Sequence, residues 1–338
     1  MAKRKIRIAY SDFWPLFDEK DNIFHNTLKE DYEVIIDQKN PEILFFSVFG
    51  NRFERYNCKR VFFTGENFKP LLDKCDYSFS FDPDTYGGKN YRLPHYIQMG
   101  DPKMLTMQKD PKSILLSKTK FCNFVYSNPD CKKRNEFFKK LSKYKKVDSA
   151  GRYMNNIGKN IGIYPDDKIN FIRPYKFAIT FENEEAEYYT TEKIFEAMKV
   201  NSLPIYWGNP KIGEDFNTDS FLNYYDYGSD EALIEKIIEL DKDDAKYMDI
   251  MSRPWYSNNK IPDCVKIENI RARFREIVES DIEPVSSRSP YFSGSELRSR
   301  LYITNSDINY KIKMYKGKFQ KLSPARIKLK LHRMIHER

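Results

Sequence analysis

Metal and redox chemistry have little to work with in this chain. Its five cysteines (Cys58, Cys75, Cys122, Cys131 and Cys264) are odd in number, scattered and without a C-x-x-C pair, and only four histidines occur, two of them in the last ten residues. A zinc site and a disulfide framework are both disfavoured by that usage, and no metal site is expected. No G-x-x-x-x-G-K-S/T, G-x-S-x-G or H-E-x-x-H occurs, so nothing supports a P-loop NTPase, an α/β-hydrolase or a zincin. There is no internal repeat and no run of about 20 apolar residues of the kind that spans a membrane. The start, MAKRKIRIAY, is basic but leads into Ser11-Asp12 rather than an apolar stretch. The expectation is a protein without a secretory leader, placed in the cytoplasm.

What is present points to a folded α/β protein. At 338 residues the chain suits two domains, and 40% hydrophobic with 15% aromatic residues is ample for packed interiors. The net charge of +9 is unevenly placed. Ten of the 58 Lys and Arg residues and one of the 49 acids lie in 311–338, which leaves 48 of each sign in the rest of the chain. A neutral body with a basic tail argues against a nucleic-acid-binding protein, whose basic surface is part of the folded domain. It favours peripheral contact with an anionic membrane or glycolipid on the inner face of the membrane. Ser323-Pro324 is a cap followed by proline at the first helical position. Ile327, Leu331, Met334 and Ile335 after it form a candidate apolar stripe, although Ile-Lys-Leu-Lys-Leu also alternates as a strand would.

Strand candidates are Lys5–Tyr10, Tyr32–Asp37, Ile43–Val48, Arg60–Thr64 and Tyr77–Phe81, spaced as in a Rossmann-like parallel sheet. Gly100–Ser117 reads as loop-rich and offers a boundary near residue 118. Lys120–Tyr126 opens a second α/β unit, and Arg134–Tyr144 has helical periodicity. Val147 to Gly158 is turn-rich, helices are expected near Asp230–Leu240 and Lys266–Glu279, and 283–300 reads as a linker.

The run Tyr175–Gly208 concentrates the chemistry. It reads as an apolar strand (Phe177–Phe181), a polar loop, a short helix and a second strand. In such a unit the carboxyl end of the strand and the positive end of the helix face one crevice, which suits a phosphorylated, hydroxyl-rich ligand. Thr190 or Thr191 can cap the helix. Glu192 would then accept from a ribose diol and Lys193, with the first helical N–H groups, would hold a diphosphate; the same triplet also fits ordinary capping. Asn183 offers donor and acceptor groups and Tyr189 a hydroxyl, whereas Glu184, Glu185 and Glu187 read as a solvated loop. Thr64-Gly65-Glu66-Asn67 closes another apolar strand, and Gly65 permits a tight turn that projects Glu66 as a candidate general base or as surface decoration. Arg152 could reach a phosphate or simply be solvated. Asp82-Pro83-Asp84 spells D-x-D, a triplet that arises often by chance.

Four ordered blocks carry a resemblance. They are RVFFTGENFKP, DYSFSFDPDTYGGKNYRLPHYI, FVYSNPDCKKRNEFFKKLSKYKKVDSAGRYMNNIG and YKFAITFENEEAEYYTTEKIFEAMKVNSLPIYWGNPKIGEDFN, from about residue 60 to about 225. Together they resemble the α-1,3/4-fucosyltransferases, the bacterial ones most closely. The resemblance implies a GT-B architecture of two Rossmann-like domains facing a cleft. Residues 1–118 would bind the acceptor, 119–283 the GDP-sugar donor, and 284–338 would be a linker and basic tail. It implies inverting transfer of L-fucose from GDP-fucose to a GlcNAc-containing glycan acceptor, without a metal or other cofactor. By motif, Glu66 falls on the general base and Asn183, Tyr189, Glu192 and Lys193 on donor-binding positions. The family's donor-contacting arginine falls where Met154 stands here, so Arg152, two places earlier, is the candidate substitute. Asp82 becomes structural. The heptad repeats common before the tail in bacterial members are absent. A transferase for another GDP-linked 6-deoxysugar remains the alternative, with a basic nucleic-acid-binding protein or a non-catalytic surface-binding protein as readings of other classes.

Overall fold

The structure is a computed structural model that describes residues 3–15, 17–159, 161–162 and 165–287. Its first part carries β1 (Lys5–Ser11), α1 (Ile23–Leu28), β2 (Glu33–Ile36), β3 (Ile43–Phe46), β4 (Lys59–Phe63), β5 (Tyr77–Ser80) and β6 (Asn90–Arg92). Then follow α2 (Pro111–Ser117), β7 (Lys120–Phe124), α3 (Lys132–Leu141), β8 (Val147–Ser149), α4 (Pro165–Ile172) and β9 (Tyr175–Ile179). The described chain continues through α5 (Glu192–Lys199), β10 (Leu203–Tyr206), β11 (Leu222–Asn223), α6 (Asp230–Lys242), α7 (Asp244–Ser252) and α8 (Ile267–Glu279). The fold is α/β, with one sheet in the order β2-β1-β3-β4-β5-β6 and another in the order β11-β10-β9-β7-β8. The proposed amphipathic tail, 311–338, lies outside the described residues.

Two compact units result. One comprises the chain up to Thr64, Pro70–Ser78 and the described residues from Val278; the other comprises Gly65–Lys69 and Phe79–Ile277. In the first unit β1 pairs in parallel with β2 and β3, and β3 with β4. Its interior is aromatic: the Phe24 ring lies 4.9 Å from Phe45 and 5.1 Å from Phe63. The segment after α8 belongs to this unit. Val285 N–H donates to Asp76 Oδ1 at 2.7 Å and Ser286 Oγ to the Cys58 carbonyl at 3.0 Å, so the expected linker begins with a docked turn.

In the second unit β9 is central and buried along its whole length, paired in parallel with β7 and β10. The chain leaves β7 toward β8 on one side and returns as β9 on the other, so the order reverses between β7 and β9. Ligand crevices of open parallel sheets form outside the carboxyl ends of such strands. A column of rings, Phe195–Tyr96 (5.7 Å), Tyr96–Phe216 (5.2 Å) and Phe216–Tyr256 (5.6 Å), fixes the buried face of α5.

The expected strands fall within a residue or two of their positions, whereas β6, β8 and β11 were not expected, β8 opening the stretch from Val147 that reads as turn-rich. The expected loop at Gly100–Ser117 contains α2, whose Asp110 side chain accepts from Lys112 N–H at 3.1 Å ahead of Pro111. That cap-then-proline pair is the same start signal read at Ser323-Pro324.

Candidate functional site

Glu182, three residues beyond β9, organises the site. Its carboxylate is fully buried and accepts from Thr191 N–H at 2.8 Å, Thr191 Oγ1 at 2.6 Å and Lys193 Nζ at 2.9 Å. The end of the strand is thereby tied to the start of α5. Thr191 occupies the N-cap position, but its hydroxyl makes no cap bond, because it donates to Glu182 and accepts from Lys193 at 2.7 Å. The expected threonine cap is therefore absent. The positive end of α5 is left without a side-chain cap, the condition under which a helix start can receive an anion.

Glu192 lies 3.5 Å from Lys193 and 3.9 Å from Lys168 of α4, and Lys168 also pairs with Glu196. Burial opposes ionisation of Glu192, but Lys193, Lys168 and His95 outweigh it and hold the carboxyl well below the usual range. Burial likewise works against the Lys193 ammonium, and Glu182 and Glu192 overcome it, so Lys193 stays protonated. Tyr189 is buried, with its ring 5.6 Å from Phe81. Burial, opposed by Lys193 and reinforced by Glu182, Glu66 and Glu192, keeps its hydroxyl protonated. The Glu66 charge thus acts on the same tyrosine as the α5 charges.

Gly65 owes its identity to a neighbour rather than to a left-handed turn. A Cβ there would sit 2.5 Å from His95 Nδ1. The imidazole therefore occupies the space beside the Glu66 loop. Burial pushes the His95 pKa down, and Lys193 adds to that while Glu192 opposes it. Glu66 itself is exposed.

Asn183 is placed by Arg134 of α3. That guanidinium is fully buried, donates to Asn183 Oδ1 at 2.8 Å and to the Glu182 carbonyl at 3.2 Å, and lies 3.9 Å from the Tyr126 ring centre. Tyr126 in turn donates to the carbonyls of Ile179 (2.8 Å) and Phe181 (3.0 Å). Arg152 is exposed, with no side-chain hydrogen bond or ion pair among the described residues, and its turn is pressed on Tyr126: a Cβ at Gly151 would lie 2.0 Å from the Tyr126 carbonyl oxygen. Met154 has φ of 53°. Asp82 accepts from Tyr86 OH at 2.8 Å and Asp84 N–H at 3.0 Å and pairs with Lys69 at 3.3 Å, so its carboxylate shapes the 82–90 turn. Among the described residues no group of three or more His, Cys, Asp or Glu side chains is placed to hold a metal ion.

Comparison with known proteins decides the family. The family model for the alpha-(1,3)-fucosyltransferase FucT N-terminal domain matches residues 8–99, and that for glycosyltransferase family 10 (fucosyltransferase), C-terminal part, matches 115–274. The chain belongs to the family 10 fucosyltransferases. It is 27% identical over 327 residues to the alpha-(1,3)-fucosyltransferase FucT of Helicobacter pylori, covering 82% of this chain and 66% of that protein. It is 22% identical over 249 residues to GDP-fucose protein O-fucosyltransferase 3 of Bos taurus, covering 62% and 52%. The crystal structure of an alpha1,3-fucosyltransferase with GDP-fucose superposes with a TM-score of 0.71 at 26% identity over 83% of this chain and 93% of that one. With its two parallel sheets, the chain has the GT-B fold of these fucosyltransferases. It spans just under two thirds of the H. pylori relative and about half of the cattle one.

Within this family 10 chain, four groups around the site went unassigned in the sequence: Glu182, Arg134, Lys168 and His95. Glu182 carried a signal, an acid directly ending an apolar strand. The other three reach in from distant elements, and local patterns do not report that.

Proposed function

We propose that the chain is a GDP-fucose-dependent fucosyltransferase that moves L-fucose to a GlcNAc-containing glycan with inversion, forming an α-1,3 linkage in cell-surface glycan synthesis. The observation that carries this reading is the shared charge neighbourhood of Glu66, Tyr189, Glu192 and Lys193. Glu66, ionised and in water, removes the proton from the acceptor hydroxyl. The resulting oxygen bonds to C1 of fucose on the face opposite the phosphate, and the C1–O bond to GDP breaks, with the electron pair leaving on the diphosphate. Lys193 and the uncapped start of α5 face that charge, the part a divalent cation plays in other transferases. Glu192 holds the ribose diol, Tyr189 and Asn183 the donor, and Arg152 swings to the phosphates. The segment before residue 118 supplies the acceptor side, 119–283 the donor side, and the basic chain in 311–338 peripheral contact with an anionic inner membrane surface. No helix among the described residues is long and apolar enough to cross a membrane.

The test is a transfer assay with GDP-fucose, N-acetyllactosamine and type 1 acceptors, with and without EDTA, and NMR assignment of the new linkage. Transfer unaffected by EDTA and giving a single inverted product supports the reading. Absence of both transfer and GDP binding overturns it. Activity with another GDP-6-deoxysugar in preference to GDP-fucose would replace the donor.

A further inference from the structure

The first unit contains a cleft lined by none of the residues named for base, donor or phosphate in the transferase reading. A crossover between parallel strands ordinarily takes a dozen or more residues, usually with a helix. The link from β2 to β3 takes six, 37–42, because Ile8 of β1 pairs with both Ile36 and Ile43. Strand β2 covers the lower half of β1 and β3 the upper half, so the chain crosses at one level and never returns. Asp37 N–H donates to the Ile8 carbonyl and Glu42 N–H to the Arg7 carbonyl, each at 2.8 Å, and they pin the arch. No crossover helix fills the space beside it. A cleft of about 890 Å³ remains between the arch and residues 52–58, within the range of roughly 300–1,000 Å³ usual for ligand clefts.

The lining is polar. Tyr56 OH donates to Gln38 Oε1 at 3.1 Å and Gln38 Nε2 to Glu19 Oε1 at 2.9 Å, a chain that joins three segments. Arg52 is engaged by buried Asp12 at 3.2 Å and Arg7 by Glu42 at 3.5 Å. Lys39 and Arg55 also line the cleft and have no ion-pair or hydrogen-bond partner for their side-chain cations among the described residues. A phenol, an amide and a carboxylate suit sugar hydroxyls, and two uncommitted cations suit an acid group on the same molecule. Glu19 disfavours a polyanion such as nucleic acid. We propose that this cleft binds a saccharide carrying a carboxylate or phosphate group.

Full-length protein titrated calorimetrically with 3′-sialyllactose, lactose and inorganic phosphate tests this, alongside the K39A/R55A variant, whose changed side chains are exposed. Saturable binding of sialyllactose is expected, at least tenfold tighter than lactose or phosphate and at least tenfold weaker in the variant. Unchanged melting and GDP titrations of the variant control for folding and read the donor site separately. No saturable binding of sialyllactose overturns the proposal. So does equal binding by the variant, or phosphate bound as tightly as the trisaccharide, which would make the cleft a simple anion site.

Discussion

In the proposed mechanism Glu66 and Lys193 serve the same reaction through different physics, and substitution separates them. Replacing Glu66 by Gln removes the base and keeps the shape. Transfer should fall ~10²–10⁴-fold, the range for a lost general base, with GDP affinity within about twofold by calorimetry. Equal loss of both would make Glu66 a donor-site residue. Lys193→Ala removes the phosphate-facing cation and also strands the buried Glu182 carboxylate. Breaking a buried pair costs about 3–5 kcal/mol, so the variant should melt lower as well as bind GDP at least tenfold more weakly. Unchanged GDP affinity would take Lys193 out of the phosphate site. Both positions stand out as candidates in the sequence because Glu66 follows an apolar strand and Lys193 opens the helix of a strand–loop–helix unit. His95, Lys168 and Arg134 do not. Arg134 lies 48 residues from the Glu182 carbonyl it bonds, and no local periodicity reports a partner that far along the chain.

At the scale of elements, the unit from β9 to β10 was readable to within a few residues, and its capping was not. The sequence TTEK invites a threonine cap, but the buried Glu182 carboxylate competes for the same hydroxyl and wins, since it also gains Lys193. Glu182→Gln keeps one acceptor for Thr191 N–H and loses the ion pair. It should loosen the start of α5, seen as faster amide exchange at Thr191–Ile194 and weaker GDP binding. Unchanged exchange would show that the rings of Phe195 and Tyr96 alone hold the helix. The Glu66 loop depends on space in a similar way. Gly65→Ala forces its methyl into the His95 ring, so it should cost about 1–3 kcal/mol, the usual penalty of overpacking. The same change in a Gly65/His95→Ala double variant should cost much less. Equal costs in both backgrounds would mean that backbone conformation, not the imidazole, demands glycine.

For the whole molecule, two α/β sheets were legible from strands spaced along a chain with enough apolar residues for two cores. Their interleaving was not, because the return of the chain from Val278 rests on contacts such as Val285 with Asp76 that carry no sequence signature. Global stability should also carry a trend that no single motif shows. Burial pushes both Lys109 and Lys118 down to about 7, against about 10.4 in the unfolded chain. Between pH 7 and 10 the unfolded lysines hold protons that the folded ones have released, so raising pH favours the folded state. Urea unfolding should show stability rising from pH 7 to 9 by about 1–2 kcal/mol. That is less than full linkage would give, because the Lys109 ammonium sits 3.6 Å from the Trp255 ring centre and gains from the ring. A flat or falling profile would mean that both amines are solvated. The two lysines should then part company on substitution. Among the described residues Lys109 has only the ring as a partner, so Lys109→Met should raise stability at pH 7 and flatten the profile. Lys118 donates to the carbonyls of Arg173 at 2.7 Å and Val200 at 2.8 Å, so Lys118→Met leaves two acceptors unmet and should destabilise the fold across the whole range.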